Sequence, residues 1–165
     1  MPDVLRQQRG FTLAETMVVT LVVGITLAAS IPSFSKLLRS NSLVAGGDKI
    51  TDEFRLMRQR AVAEGVPYLV TLSSTYYYTV RDTNGDGFYT SGETYWGPFY
   101  MPKGSYISSL SDGFTSTWVQ FLPNGSSSQG GNINMLNDRG KELTLTLLRP
   151  TGQVYVQKDS GDEGA

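Results

Sequence analysis

Twelve consecutive residues have the spacing of a calcium loop. Asp82-Thr83-Asn84-Gly85-Asp86-Gly87-Phe88-Tyr89-Thr90-Ser91-Gly92-Glu93 fits D-x-[DN]-x-[DN]-G-x5-E in full. Calcium takes about six to eight oxygens. The spacing supplies the side chains of Asp82, Asn84 and Asp86, the carbonyl of Phe88, Thr90 directly or through water, and a bidentate Glu93. Gly87 sits where the chain must turn sharply. Helices normally flank such a loop; here YYYTV precedes it and TYWGPFY follows it. A β-hairpin turn is the competing reading, since Asn-Gly and Asp-Gly are strong turn formers.

A second residue whose type demands a reason is Glu15. It stands near the start of Phe11 to Phe34, a run otherwise built of apolar and small polar residues. An ionisable group inside a membrane costs about 2.5–3.5 kcal/mol at the helix centre and less near an end. Glu15 therefore needs a polar partner in some assembled state.

Other chemistries are thinly supplied. The chain has neither histidine nor cysteine. The commonest general base, thiolate ligands, disulfides and lipidated cysteine anchors are thus excluded. A membrane-anchored hydrolase would need carboxylates, Lys, Tyr or Ser alone, and no nucleophile constellation is recognisable. Formal net charge is -1, so no global field recruits nucleic acid.

The elements around these residues divide the chain into four. Residues 1–10 are polar and carry Arg6 and Arg9. Residues 11–34 are long enough to span a bilayer, for which ~20 apolar residues suffice. The arginines ahead of them are cytoplasmic by the positive-inside rule. Pro32 is expected to kink or locally melt the helix. Residues 35–65 read as an amphipathic continuation, with Leu43, Ile50, Phe54, Met57 and Ala61 on one stripe. That stripe is expected to pack on the chain's own globular domain, with Gly46-Gly47 as a flexible interruption and Gly65-Val66-Pro67 as the stop.

Residues 66–165 are rich in Tyr, Thr, Ser and Gly. Strands are predicted over Tyr68 to Leu72, Tyr76 to Arg81, Tyr95 to Tyr100, Trp118 to Leu122, Leu143 to Leu148 and Gln153 to Gln157. Arg149-Pro150-Thr151-Gly152 joins the last two as a hairpin, with Leu143, Leu145 and Leu147 facing the core. Gly125 to Gly131 is predicted to be a flexible loop, and the last seven residues an acidic, frayed tail. The tyrosines 76–78 with Tyr95-Trp96 suggest a ligand patch or, more simply, strand packing. The fold class is α+β: a long N-terminal helix, membrane-spanning in its first half, then an antiparallel β domain.

Arg9-Gly10-Phe11-Thr12-Leu13-Ala14-Glu15 resembles the class III signal of type IV pilins and type II secretion pseudopilins: a basic leader, then Gly-Phe-Thr-Leu-x-Glu, then an apolar helix. The resemblance implies cleavage by prepilin peptidase between Gly10 and Phe11 and methylation of the new Phe11 amino terminus. It implies that Glu15 pairs with a neighbouring subunit's amino terminus as a filament grows. Partners would be the peptidase, other pilin or pseudopilin subunits and the inner membrane, with the C-terminal domain periplasmic. Scattered positions (Met57-Arg58, Ala61, Phe121-Leu122-Pro123-Asn124-Gly125, Gly152-Gln153-Val154) resemble the GspH/FimT branch of minor pseudopilins and minor pilins. Such proteins are structural subunits, not enzymes. Some FimT-type members bind DNA through basic residues near the C-terminus. Here Gln153 follows Gly152, the tail is acidic, and Arg139 and Lys141 are isolated, so nucleic acid is not an expected partner.

Overall fold

The computed structural model describes the backbone of residues 12–158 and the side chains of 12–28 and 41–157. Among the described residues there are one helix, α1 (Leu13–Glu64), and eight strands. These are β1 (Tyr68–Leu72), β2 (Tyr76–Arg81), β3 (Thr94–Tyr100), β4 (Ser105–Ser111), β5 (Trp118–Phe121), β6 (Gly131–Asn137), β7 (Glu142–Leu148) and β8 (Gln153–Lys158). The chain divides into two compact units, residues 1–38 and residues 39–165. The α+β class expected from the sequence is the observed one.

In the first unit α1 starts at a cap built from its own motif. Thr12 is the residue before the helix, and its Oγ1 accepts the Glu15 N–H at 3.3 Å. Thr-x-x-Glu is the spacing of a capping box, so two letters of the signal also start the helix. The helix continues unbroken past Pro32, against the expected local melting; a single missing N–H leaves the flanking helical bonds in place. Side chains 12–28 are exposed in the isolated chain, among them Leu13, Met17, Val18, Leu21, Ile25 and Leu27.

In the second unit the helix meets two four-stranded antiparallel sheets, ordered β3-β2-β1-β5 and β4-β6-β7-β8. The predicted stripe Leu43, Ile50, Phe54, Met57 and Ala61 is buried throughout. It joins one core with Tyr68, Val70, Phe121, Ile133, Leu145 and other strand residues. Phe54 and Phe121 meet edge to face at 5.2 Å. Leu143, Leu145 and Leu147 face that core as predicted, and the β7–β8 turn closes through Gly152 N–H to Leu148 C=O at 2.8 Å.

Gly46-Gly47 does not interrupt the helix. A Cβ on Gly47 would stand 2.5 Å from Leu143 Cδ2, and one on Gly46 3.0 Å from Met135 Cε. These glycines let the helix backbone approach the second sheet. The helix stops as predicted, with Gly65 in the left-handed region (φ 67°).

Two strands escape the sequence reading. β4 and β6 are dense in Ser and Asn, residues of low strand propensity, yet they pair side by side. On β6, Ile133 and Met135 point inward. The asparagines between them bond across strands: Thr146 Oγ1 donates to Asn132 Oδ1 (2.8 Å), Thr144 Oγ1 to Asn134 Oδ1 (3.2 Å), and Asn134 Nδ2 to Ser109 Oγ (3.0 Å). The segment 125–131, expected to be flexible, is instead tied down. Ser127 bridges to Phe121, is buried, and donates its hydroxyl to Gln129 C=O.

Candidate functional site

Two regions carry the residues singled out by their chemistry. The first is the start of α1. Gly10 and Phe11 lie outside the described residues. Glu15 stands in the first helical turn. Among the described residues no cation lies within ion-pair distance of its carboxylate. The other polar groups of this stretch are satisfied within the helix. Thr16 Oγ1 donates to Leu13 C=O (2.9 Å), Thr20 Oγ1 to Met17 C=O (2.9 Å) and Thr26 Oγ1 to Val22 C=O (2.9 Å). Threonine hydroxyls turned back on their own backbone suit an environment without water. What the surface then presents is apolar, with the Glu15 carboxylate as its exception. Among the described residues no helix is long and apolar enough to cross a membrane. The span expected at 11–34 includes Phe11 and the side chains of 29–34, which lie outside them.

The second region is the loop 82–93, between β2 and β3. Asp82 is fully buried. Its Oδ1 accepts the Gly85 N–H (2.6 Å), and its Oδ2 accepts the Gly87 N–H (2.9 Å) and the Gln120 amide on β5 (2.6 Å). Gly87 takes a positive φ of 79°, which a side chain would resist. Asp86 N–H donates to Asn84 Oδ1 (3.0 Å) and Phe88 N–H to Asp86 Oδ1 (2.8 Å). Asn84 Nδ2 reaches both Asp86 Oδ2 (2.9 Å) and Thr90 Oγ1 (3.0 Å). Glu93 closes the loop: Oε1 accepts the Thr83 N–H (2.7 Å) and Oε2 the Thr90 N–H (3.0 Å). Those bonds, led by the one from Thr90, hold the Glu93 carboxyl below its ordinary pKa.

The loop thus brings Asn84, Asp86 and Thr90 together, and separately hangs Asp82 and Glu93 on backbone donors. Among the described residues no three His, Cys, Asp or Glu side chains group closely enough to hold a metal ion. The loop is also fastened to the sheet face opposite the core. Tyr68, Val70 and Leu72 of β1 belong to the core, so by alternation Leu69, paired with Val80 and Gln120, faces the other way. The Asp82–Gln120 bond and the Phe88–Trp118 ring contact at 5.6 Å hold the loop to that face. Sequence reasoning missed Gln120 and Trp118, because nothing local in the sequence links β5 to a loop some thirty residues earlier.

Arg149 lies in the β7–β8 turn, Arg139 and Lys141 at the β6–β7 turn.

A long capped helix followed by two antiparallel sheets is the arrangement these elements build. Residues 5–31 match the model of the prokaryotic N-terminal methylation motif. The fold is similar to that of the minor pseudopilin EpsH from the type 2 secretion system of Vibrio cholerae, with a TM-score of 0.56 and 10% sequence identity over 71% of this chain and 97% of that one. No curated protein matches the chain. The motif match is to the start of the chain, and the structural likeness is one of fold.

Proposed function

We propose that the protein is a minor pilin or pseudopilin of the GspH/FimT type, a structural subunit without enzymatic activity. It is made with residues 1–10 as a leader, cut by prepilin peptidase between Gly10 and Phe11, and methylated at Phe11. Residues 11–34 anchor it in the inner membrane, 35–65 extend the helix, and 66–165 form a periplasmic globular domain. It then enters a type IV pilus or type II secretion pseudopilus. The observation that carries this reading is the start of α1: a methylation motif leading an exposed apolar helix with a lone carboxylate at its fifth mature position.

Glu15 has the role of pairing with the amino terminus of a neighbouring subunit. Two opposite charges in a poorly solvated bundle attract strongly, and neither is comfortable alone. The gain is register between subunits. Glu15→Ala should leave membrane insertion intact, because it removes a charge from the apolar run. Co-purification with sheared filaments or cross-linked partner subunits should fall severely. Normal incorporation of Glu15→Ala would refute the pairing.

We infer from its spacing that the loop 82–93 takes calcium, the competing reading being a metal-free hairpin turn closed by the bonds of Asp82 and Glu93. The loop's twelve positions supply the ligand types, and Asn84 already stands within hydrogen-bond distance of both Asp86 and Thr90. Binding requires Asp82 and Glu93 to share oxygens now given to backbone N–H groups, and Asn84 to present its amide oxygen.

A further inference from the structure

The tyrosines of β2 and β3 divide between two faces. Tyr77 points into the core. Tyr76 and Tyr78 point away from it, beside Tyr95 and Tyr100 of β3 and Tyr89 of the loop, and with Pro98 they line an open cleft of about 490 Å³. The rings stand in two couples: Tyr76 with Tyr100 at 6.0 Å, and Tyr89 with Tyr95 at 5.7 Å. In register these couples are four β2 residues apart (Tyr76↔Tyr100, Val80↔Tyr95), about 13 Å along the strand. Between them the pairing slips, between Tyr77 and Thr79. There Gly97 lies against Tyr78: a Cβ on Gly97 would come within 3.0 Å of Tyr78 Cβ. The bare backbone at Gly97 keeps this floor low.

Strand packing does not account for this face. Tyr95 and Tyr100 are 57% and 65% exposed, and Tyr89 is 49% exposed. Large rings left in water on one side of an edge strand form a patch of the kind that marks a binding surface. Tyr76 and Tyr78 also border a second cleft of about 700 Å³, where β1, β4 and the segments beside them gather Ser and Thr hydroxyls, among them Ser74, Ser108, Ser116 and Thr117. Among the described residues no Asp, Glu, Lys or Arg lines either cleft.

An aromatic floor continuous with a hydroxyl-lined wall, both uncharged, selects its occupant. The absence of charge disfavours nucleic acids and acidic polymers, which need cations nearby. Ser74, Ser108 and Ser116 give their protons to the carbonyls of Ile107, Asn134 and Trp118, so these hydroxyls meet a ligand as acceptors and suit one that donates. A polyproline strand has no N–H donor to offer those acceptors. A neutral sugar chain has C–H faces that stack on rings and a rim of hydroxyls that donate and accept. Chain length fits as well, since only an extended ligand spans two ring couples about 13 Å apart. We propose that the Tyr76–Tyr100 face binds an uncharged oligosaccharide strand, stacked on the exposed tyrosines and hydrogen-bonded at the hydroxyl wall.

The test uses the full-length protein in a sugar-free zwitterionic detergent, because maltoside headgroups would compete. Chitohexaose, cellohexaose and laminarihexaose are titrated by calorimetry, with decaproline and oligogalacturonate alongside. Saturable binding of at least one neutral hexaose at about 1 mM or tighter is expected. Tyr95→Ala and Tyr100→Ala, both at exposed positions, should each weaken it about tenfold. Tyr155→Ala, an exposed tyrosine on β8 outside the clefts, should leave it unchanged. Circular dichroism establishes that each variant is folded. Failure of folded protein to bind all three hexaoses overturns the proposal. So does equal or tighter binding of decaproline or oligogalacturonate, or an equal loss from Tyr155→Ala.

Discussion

Leu21 and Phe54 are large apolar side chains on the same helix, and the chain treats them oppositely. Leu21 is 65% exposed and Phe54 is fully buried. Around Phe54 the stripe is matched by strand residues from two sheets, so its apolar surface is complete within the molecule. Around Leu21 the apolar side chains show no stripe: Met17, Val18, Val19, Leu21, Val22 and Val23 are all exposed. A helix apolar all round is finished only by lipid or by other helices. The difference teaches that the two stretches answer to different solvents, one supplied by the fold and one from outside it.

That comparison can be broken by substitution. Phe54→Ala should destabilise the globular unit by about 3–5 kcal/mol, seen as a large drop in melting temperature of the full-length protein in detergent. Leu21→Ala should change the same transition by less than about 0.5 kcal/mol. A comparable loss from both would show that the first stretch also completes a core within the chain.

The loop 82–93, proposed above to take calcium, sharpens the comparison, because it lies on the face of the globular unit opposite the core. At a hundredfold excess of free ion over the dissociation constant, calcium should add about 2.7 kcal/mol of stability. Magnesium should add less, since it holds its waters and demands a tighter octahedron. Glu93→Gln should abolish most of the gain. Identical melting in calcium and in chelator would leave a metal-free turn, closed by the bonds of Asp82 and Glu93 alone.

The smallest effect is in acid. Glu93 is depressed chiefly by the Thr90 N–H. A carboxylate with a lowered folded pKa stabilises fully above its ordinary value, about 4.3, and that contribution is lost as pH falls through the folded value. Glu53 is raised by burial, opposed by its bond from Tyr77, and has the opposite sign. The wild-type minus Glu93→Gln difference cancels Glu53. Measured without calcium, it should be constant near neutrality and shrink below about pH 4.3. A difference that grows in acid would contradict the hydrogen-bond assignment.

The helix, its inward stripe, its stop at Gly65 and the leucine alternation of β7 were legible because each follows a local period or a local breaker. β4 and β6 were not, since their Ser and Asn residues read as loop until Thr144, Thr146 and Ser109 stand across from them. Gly46-Gly47 read as weakness because close approach to Leu143 and Met135 is a tertiary fact. The acidic loop was visible as a pattern, but its anchor at Gln120 and Trp118 was not. The tyrosines were visible as a cluster, and only strand register sorts Tyr77 inward from Tyr76 and Tyr78.

The central claim is that this chain is a processed filament subunit, and the mass of the mature protein tests it most directly. Protein isolated from cells that contain prepilin peptidase should begin at Phe11, carry one additional methyl group on that amino terminus, and lack residues 1–10; Gly10→Val should remain at precursor mass. A wild-type protein that keeps residues 1–10 in the presence of the active peptidase would contradict the account.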